Sequence, residues 1–343
     1  MAGKKKKLGL FVWLLIGVLA TAVFAIYKLF GANTGKLTKG EYLYIKTGSD
    51  YNAVLQTLQD GDYLSDIWSF NIIAKRARYP NKVKGGKYHI KPGMSNFDII
   101  RMLRSGGQEP VKLVINKVRT RKDLVNLVAA NLEASADSLN FYLSDSIFLS
   151  TYEIDTNAGM SLIIPDTYEF YWNTSASKAL QKLGKNYTTF WDDQRRQQAK
   201  AKGLSIIQVT IIASIVEEET NMNSEKGNVA SVYINRLQKG IPLQADPTVK
   251  FAIGDFTIRR ITGQHLMYNS PYNTYIYSSL PPGPICTPSK KTIDAVLNAP
   301  ETKYLFFCAK ADFSGSHVFA ETLSDHQKNA RAYQKALDAR GIH

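Results

Sequence analysis

The sequence predicts an α+β protein: an N-terminal transmembrane helix, then a small α+β domain, then a larger α+β domain. Three observations predict this. An uncharged apolar run, Leu8 to Tyr27, follows Lys4-Lys5-Lys6-Lys7. A strand–turn–helix pattern then occurs three times between Tyr42 and Val128. Further on, a helix that is apolar on every side begins near Ser205, and it is too short to be a second span. The length, 343 residues, suits two domains of about 150 residues each.

The apolar run is long enough to cross a hydrocarbon core of about 30 Å. The lysines before it keep residues 1–7 in the cytoplasm by the positive-inside rule, so residues 8–30 form the span and the body lies outside. A cleaved signal peptide is the rival reading, with Ala20-Thr21-Ala22 as its weak cleavage signal. Residues 31–40 are short, polar and glycine-containing, and are expected to be a linker. The formal charge of +14 then points to lipid headgroups or acidic envelope polymers, because an extracytoplasmic body does not meet nucleic acid.

Composition excludes several classes. With 44% apolar and 21% charged residues the chain is no disordered polymer. Cys286 and Cys308 are too few for a disulfide scaffold or a four-thiolate zinc site, and both a disulfide and two free thiols stay open. Five histidines are scattered with no HExxH pair, and no GxSxG, Walker A or GxGxxG motif occurs. No metal and no cofactor is expected.

In the first repeat, Tyr42 to Lys46 is a strand, Thr47-Gly48 turns, Ser49 caps, and Val54, Leu55 and Leu58 mark a helix. In the second, Tyr88 to Lys91 leads through Pro92-Gly93-Met94-Ser95 to a helix with Phe97, Ile99, Ile100 and Leu103. The third joins the strand Val111 to Ile115, through Thr120, to a helix with Leu124, Val125 and Val128. Ile67 to Arg78 is a further helix, and Gly106-Gly107 a hinge. Ala176 to Lys202 is helical in pattern, Tyr304 to Phe307 reads as a buried strand, and Ser324 to Leu337 as a closing helix.

Chemistry concentrates after Ser205. Ser205 and Gln208 form a capping box. The buried helix that follows runs into Glu217-Glu218-Glu219-Thr220. Burial and the helix dipole both disfavour an anion on Glu217, so its pKa is expected to rise, as a general acid requires. The competing reading is a solvated helix end. Asn223 or Ser224 is expected to cap a second helix that Gly240 ends. Leu243 to Thr248, Ser270 to Tyr275 and Leu280 to Ile285 are stiff polar loops of the kind that present hydrogen-bonding groups to a sugar.

Together, Ala213 to Thr220, Ile234-Asn235-Arg236-Leu237, Leu243 to Thr248, Ser270 to Tyr275 and Leu280 to Pro284 resemble the YceG-like (MltG) endolytic murein transglycosylases. The resemblance implies a LysM-like domain over residues 41–107 and a catalytic domain over residues 108–343. It implies cleavage of the MurNAc-β-1,4-GlcNAc bond within glycan strands, leaving 1,6-anhydroMurNAc ends, with Glu217 as the single acid/base. Glu218 stands where the family has a basic residue, and Lys117-Val118 where it has a glycine turn.

Glu217 and Glu219 lie roughly 200° apart on a helix, so Glu219 is expected at the edge of the site or in a structural bond. Gln244, Asp246, Asn273 and Thr274 are the other expected substrate contacts. Two alternatives stay open: a muramidase-type hydrolase with Asp246 as second carboxylate, and a non-catalytic peptidoglycan-binding scaffold. The implied location is the bacterial inner membrane, with a single pass and an extracytoplasmic catalytic domain. The implied partners are peptidoglycan glycan strands and peptidoglycan synthases.

Overall fold

The structure, a computed structural model, describes residues 2–340, without the side chains of residues 2–8. The Lys4–Lys7 orientation signal therefore falls outside the described side chains. The first helix, α1 (Ala2–Phe30), contains the stretch Gly9–Phe30, which is long and apolar enough to cross a bilayer and buries none of its side chains in the protein. Beyond it the chain mixes helix and strand and divides into two compact units.

The first unit comprises residues 1–112 with 131–133 and 169–174. It contains β1 (Tyr42–Ile45), α2 (Tyr51–Asp60), α3 (Ile67–Arg76), β2 (Gly86–His89) and α4 (Asn96–Ser105). β1 and β2 pair antiparallel, Tyr42 opposite His89 and Ile45 opposite Gly86. Leu43, Leu58, Phe70, Tyr88, Ile99 and Leu103 fill the core beneath them. The helices start where short polar side chains accept orphan N–H groups: Asp66 takes that of Ser69, and Ser95 that of Asp98. Ser49 does not cap α2. Asp50 does, accepting the N–H of Ala53, because a helix beginning at Tyr51 puts Asp50 in the capping position.

Residues 31–40 are not a free linker. Ala32 bridges to Ser95 and Thr34 to Leu64. The buried Asn33 donates to Asn96 at 2.7 Å and accepts the Asp66 N–H at 2.9 Å. A segment that finds backbone and side-chain partners gains more than its chain entropy favours release.

The second unit takes the remaining chain. β3 (Val111–Ile115) pairs with β4 (Asp166–Phe170), and α5 (Arg121–Asn131), α6 (Ala136–Tyr142) and α7 (Ser146–Ser150) lie between them in sequence. The helical stretch after Ser175 is two helices, α8 (Ala176–Phe190) and α9 (Asp193–Ala201), separated because Asp192 caps the second. The centre is α10 (Ile206–Glu219), with the Ser205–Gln208 capping box in place and every residue from Val209 to Val216 buried. Around it pack α11 (Lys226–Gln238), α12 (Asp246–Ile253) and, after the short α13 (Gly263–Leu266), α14 (Lys290–Leu297). An antiparallel pair, β5 (Phe306–Ala309) and β6 (His317–Ala320), and α15 (Leu323–Asp338) close the unit.

Three expectations change here. Neither Asn223 nor Ser224 caps α11, whose first flanking residue is Glu225. Asp246-Pro247-Thr248 opens a helix, with Pro247 in the first turn where its missing N–H costs nothing. β5 is only half-buried along its length, as suits one strand of a two-stranded ribbon. Cys286 and Cys308 are both free thiols.

Candidate active site

The three glutamates end α10, and successive residues turn by about 100°, so each meets a different environment. Glu217 faces α11 and α14. Its Oε2 accepts from Lys226 Nζ at 3.1 Å, from Ser289 Oγ at 3.0 Å and from the Thr292 hydroxyl. Lys226 is itself only 5% exposed and also donates to Thr292 at 2.7 Å. Burial alone pushes the Glu217 pKa up, but the donors from Thr292, Lys226 and Ser289 outweigh it and hold the carboxyl below its ordinary value. The expected rise is therefore corrected: hydrogen bonds to the anion, supplied by residues far away in sequence, win over desolvation.

Glu218 is also held as an anion. Burial opposes its charge, but Arg119 grips it with two nitrogens, at 3.2 and 2.8 Å, and Lys117 reaches it at 3.0 Å. The Glu218 carboxylate is thus neutralised by Arg119 and Lys117 together.

Glu219 differs from both. Its pKa is pushed up to about 7, first by burial and then by the negative charge of Asp246, with the Tyr233 hydroxyl working against the rise. Its Oε2 is buried with no hydrogen-bond partner among the described residues. A carboxyl in this state holds its proton through acidic pH and gives it up only near neutrality.

Glu219 lines a cavity of about 380 Å³, together with Tyr233 and Arg236 of α11, Gln244, Asp246, Tyr275 and His326. Glu217 and Glu218 do not line it. The Tyr275 hydroxyl donates to Asp246 Oδ1 at 2.6 Å. The Arg236 guanidinium donates to Gln244 Oε1 at 2.5 Å, to the Pro242 carbonyl at 2.9 Å and to the Leu305 carbonyl at 3.0 Å. Gln244 stands at φ +54°, a left-handed conformation that a non-glycine residue adopts only under constraint. Its backbone N–H is tied to the Thr274 carbonyl at 3.0 Å, which supplies that constraint.

Of the residues expected to touch substrate, Glu219, Gln244 and Asp246 share this cavity, and Asn273 and Thr274 do not line it. Asn273 is fully buried, donating to the Leu266 and Tyr268 carbonyls at 3.0 and 2.8 Å and accepting the Tyr275 N–H. Thr274 is buried against Thr248, and its Oγ1 accepts the Ala245 N–H at 3.0 Å. Both use their polar groups to fix loop backbone, which places Gln244, Asp246 and Tyr275.

His326 carries no motif that sequence reasoning could have used. It reaches the cavity from α15, stacked on Phe306 at 5.2 Å, and burial holds its pKa below the ordinary histidine value. Among the described residues no cluster of three or more histidine, cysteine or acidic side chains could hold a metal.

Comparison with known proteins places this geometry in context. The YceG-like family profile matches residues 43–332. The chain is 27% identical over 304 residues to the endolytic murein transglycosylase of Bacillus subtilis, covering 84% of this chain and 83% of that protein. It is 25% identical over 319 residues to the endolytic murein transglycosylase of Streptococcus pneumoniae, covering 83% of this chain and 57% of that one. Among solved structures, the yceG-like protein lmo1499 of Listeria monocytogenes superimposes with a TM-score of 0.57 at 26% identity, over 84% of this chain and 97% of that chain.

Proposed function

The chain belongs to the YceG-like family, and we propose that it is an endolytic murein transglycosylase whose acid/base is Glu219. The observation that carries the assignment within the triplet is the contrast between neighbours. Glu217 and Glu218 are each held as anions by cationic partners, whereas Glu219 has a raised pKa and is the one of the three that lines the cavity of about 380 Å³.

The chemistry follows from one carboxyl. Glu219 gives its proton to the bridging oxygen as the C1–O4 bond between MurNAc and GlcNAc breaks, and the sugar becomes oxocarbenium-like. The glutamate, now an anion, takes the proton of the MurNAc 6-hydroxyl as that oxygen bonds to C1. The product ends in a 1,6-anhydro ring, water does not enter, and Glu219 returns to its acid form. A pKa of about 7 suits both halves, since neither proton transfer is then steeply uphill at neutral pH. Asp246, whose Oδ1 accepts from the Tyr275 hydroxyl, favours the positive charge that develops on the sugar. Gln244, fixed by Arg236, presents its amide to the glycan.

The polymer is met outside the cytoplasmic membrane, with α1 as a single-pass anchor and the second unit in the wall compartment. A second reading has one observation in its favour. Asp246 shares the cavity with Glu219, as the second carboxylate of a hydrolase would.

Product analysis decides among these. Full-length protein incubated with murein is expected to release glycans with anhydro ends, seen by mass spectrometry as a loss of one water relative to reducing ends. Glu219→Gln is expected to lower the rate by about 100-fold or more, while Glu217→Gln leaves residual cleavage in whatever protein folds. Reducing ends would favour the hydrolase, and abolition by Glu217→Gln in folded protein that Glu219→Gln does not match would return the role to Glu217.

A further inference from the structure

A second concavity has no part in the site above. It lies wholly within the first unit and measures about 1220 Å³. Phe24 and Leu29 of α1 form one wall, Trp68 and Ile72 of α3 another, and Phe97 and Ile100 of α4 the third. Trp68 is 65% exposed, Ile72 43% and Phe97 41%, large apolar side chains that a soluble surface seldom leaves together. Six cations surround them: Lys28, Arg76, Lys82, Lys84, Arg101 and Arg104. No acidic residue lines the groove. Lys28 pairs with Asp66 and Arg101 with Asp98. Arg76, Lys82 and Arg104 have no ion-pair partner among the described residues, and all three are exposed.

The groove is pre-formed, because the end of α1 is fastened to its other walls. Asn96 donates to the Lys28 carbonyl at 2.8 Å, Lys28 reaches Asp66 at 2.5 Å, and the Phe30 and Phe97 rings meet at 5.4 Å. Its first wall is also the final turns of the apolar stretch Gly9–Phe30, so its apolar surface continues that of the span itself.

We propose that this groove seats an anionic phospholipid of the membrane that α1 crosses. The phosphate lies among Arg76, Lys82 and Arg104, and the acyl chains run down the Phe24–Trp68 side alongside α1. The proposal rests on the reading of α1 as an anchor. Two properties select this occupant. An acyl chain matches apolar walls continuous with a membrane span, and a headgroup anion matches a rim of cations without counter-charges. Trp68 then sits at headgroup depth, where tryptophan is favoured.

The test uses the full chain. Protein is reconstituted in vesicles of equal phosphatidylglycerol and phosphatidylcholine, extracted in neutral detergent, and the retained lipid is quantified by mass spectrometry. Phosphatidylglycerol is expected to be enriched about fivefold over phosphatidylcholine. The triple variant Arg76→Gln, Lys82→Gln, Arg104→Gln alters only exposed side chains and is expected to lose that enrichment while still cleaving murein. Trp68→Ala is expected to lower retention of both lipids. Equal retention of the two lipids by wild type, or enrichment unchanged in the triple variant, overturns the lipid seat. Alkaline extraction of the vesicles separates the premise: release of the chain overturns the anchor, whereas a chain that stays bound without enrichment overturns the lipid seat alone.

Discussion

At the scale of single residues, the raised pKa of Glu219 sets two pH dependences of calculable sign. In the proposed mechanism the Glu219 carboxyl must be protonated, so the rate is expected to fall as pH rises through about 7. Asp246→Asn removes a charge that raises this pKa, so the fall is expected at lower pH in that variant. Stability follows by linkage. Folding raises the Glu219 pKa from 4.5 to about 7, so between those values the folded state binds the extra proton and loses stability as pH increases. Above about 7 the loss is complete and amounts to at most about 3 kcal/mol. Denaturant unfolding is expected to show Glu219→Gln more stable than wild type at pH ~8 and matched to it at pH ~4; equal stability of the two at both values would remove the buried-acid reading. The sequence made the triplet and the loops around Gln244 and Asp246 legible, because an apolar helix ending in charge is a local pattern. How each glutamate is surrounded was not legible, because Lys226, Ser289 and Thr292, which hold Glu217, come from other elements.

One element, the C-terminal turn of α10, carries three glutamates against its own dipole, and cationic partners offset that strain at Glu217 and Glu218. Lys226 on α11 and Ser289 and Thr292 at the start of α14 tie Glu217 to two neighbouring helices. Arg119 and Lys117 tie Glu218 to the segment after β3. The turn is therefore held from two sides, which fixes where Glu219 points. Lys226→Met leaves a half-buried carboxylate without its cation and is expected to cost about 3–5 kcal/mol by denaturant unfolding. Pairing it with Glu217→Leu is expected to recover most of that cost. If the double variant is no more stable than the single one, Lys226 acts through packing and not through the pair. Elements of this kind were largely legible, since α10, its capping box and the three strand–turn–helix repeats follow from periodicity and caps. The break between α8 and α9 and the helical start at Asp246 were less so. Both depend on how a polar residue uses its side chain: Asp192 caps a new helix, and Pro247 begins one.

At the scale of the whole chain, the consequence lies in residues 31–40, where sequence composition suggested slack. Their glycines and polar side chains are those of a flexible tether, yet Asn33, Thr34 and Gly35 are all bonded into the first unit. The Asn33 N–H donates to the Met94 carbonyl at 2.9 Å, and the Gly35 N–H to the Tyr63 carbonyl at 2.9 Å. The Asn33 side chain is buried among Asp66 and Asn96, so its partners lose satisfaction when it is cut back. With α1 as the proposed anchor, a helix joined in this way carries the first unit as part of itself and would hold that unit near the headgroups. Hydrogen exchange on the full chain in detergent micelles measures this directly. The amides of Asn33 and Gly35 are expected to exchange as slowly as those of α4, protected by the same core. Asn33→Ala leaves buried polar groups unpaired at about 1–3 kcal/mol, so exchange at both amides is expected to accelerate by about 10-fold or more. Fast exchange at both positions in the wild-type chain would mean a loose tether, and the first unit would then be free to leave the bilayer surface.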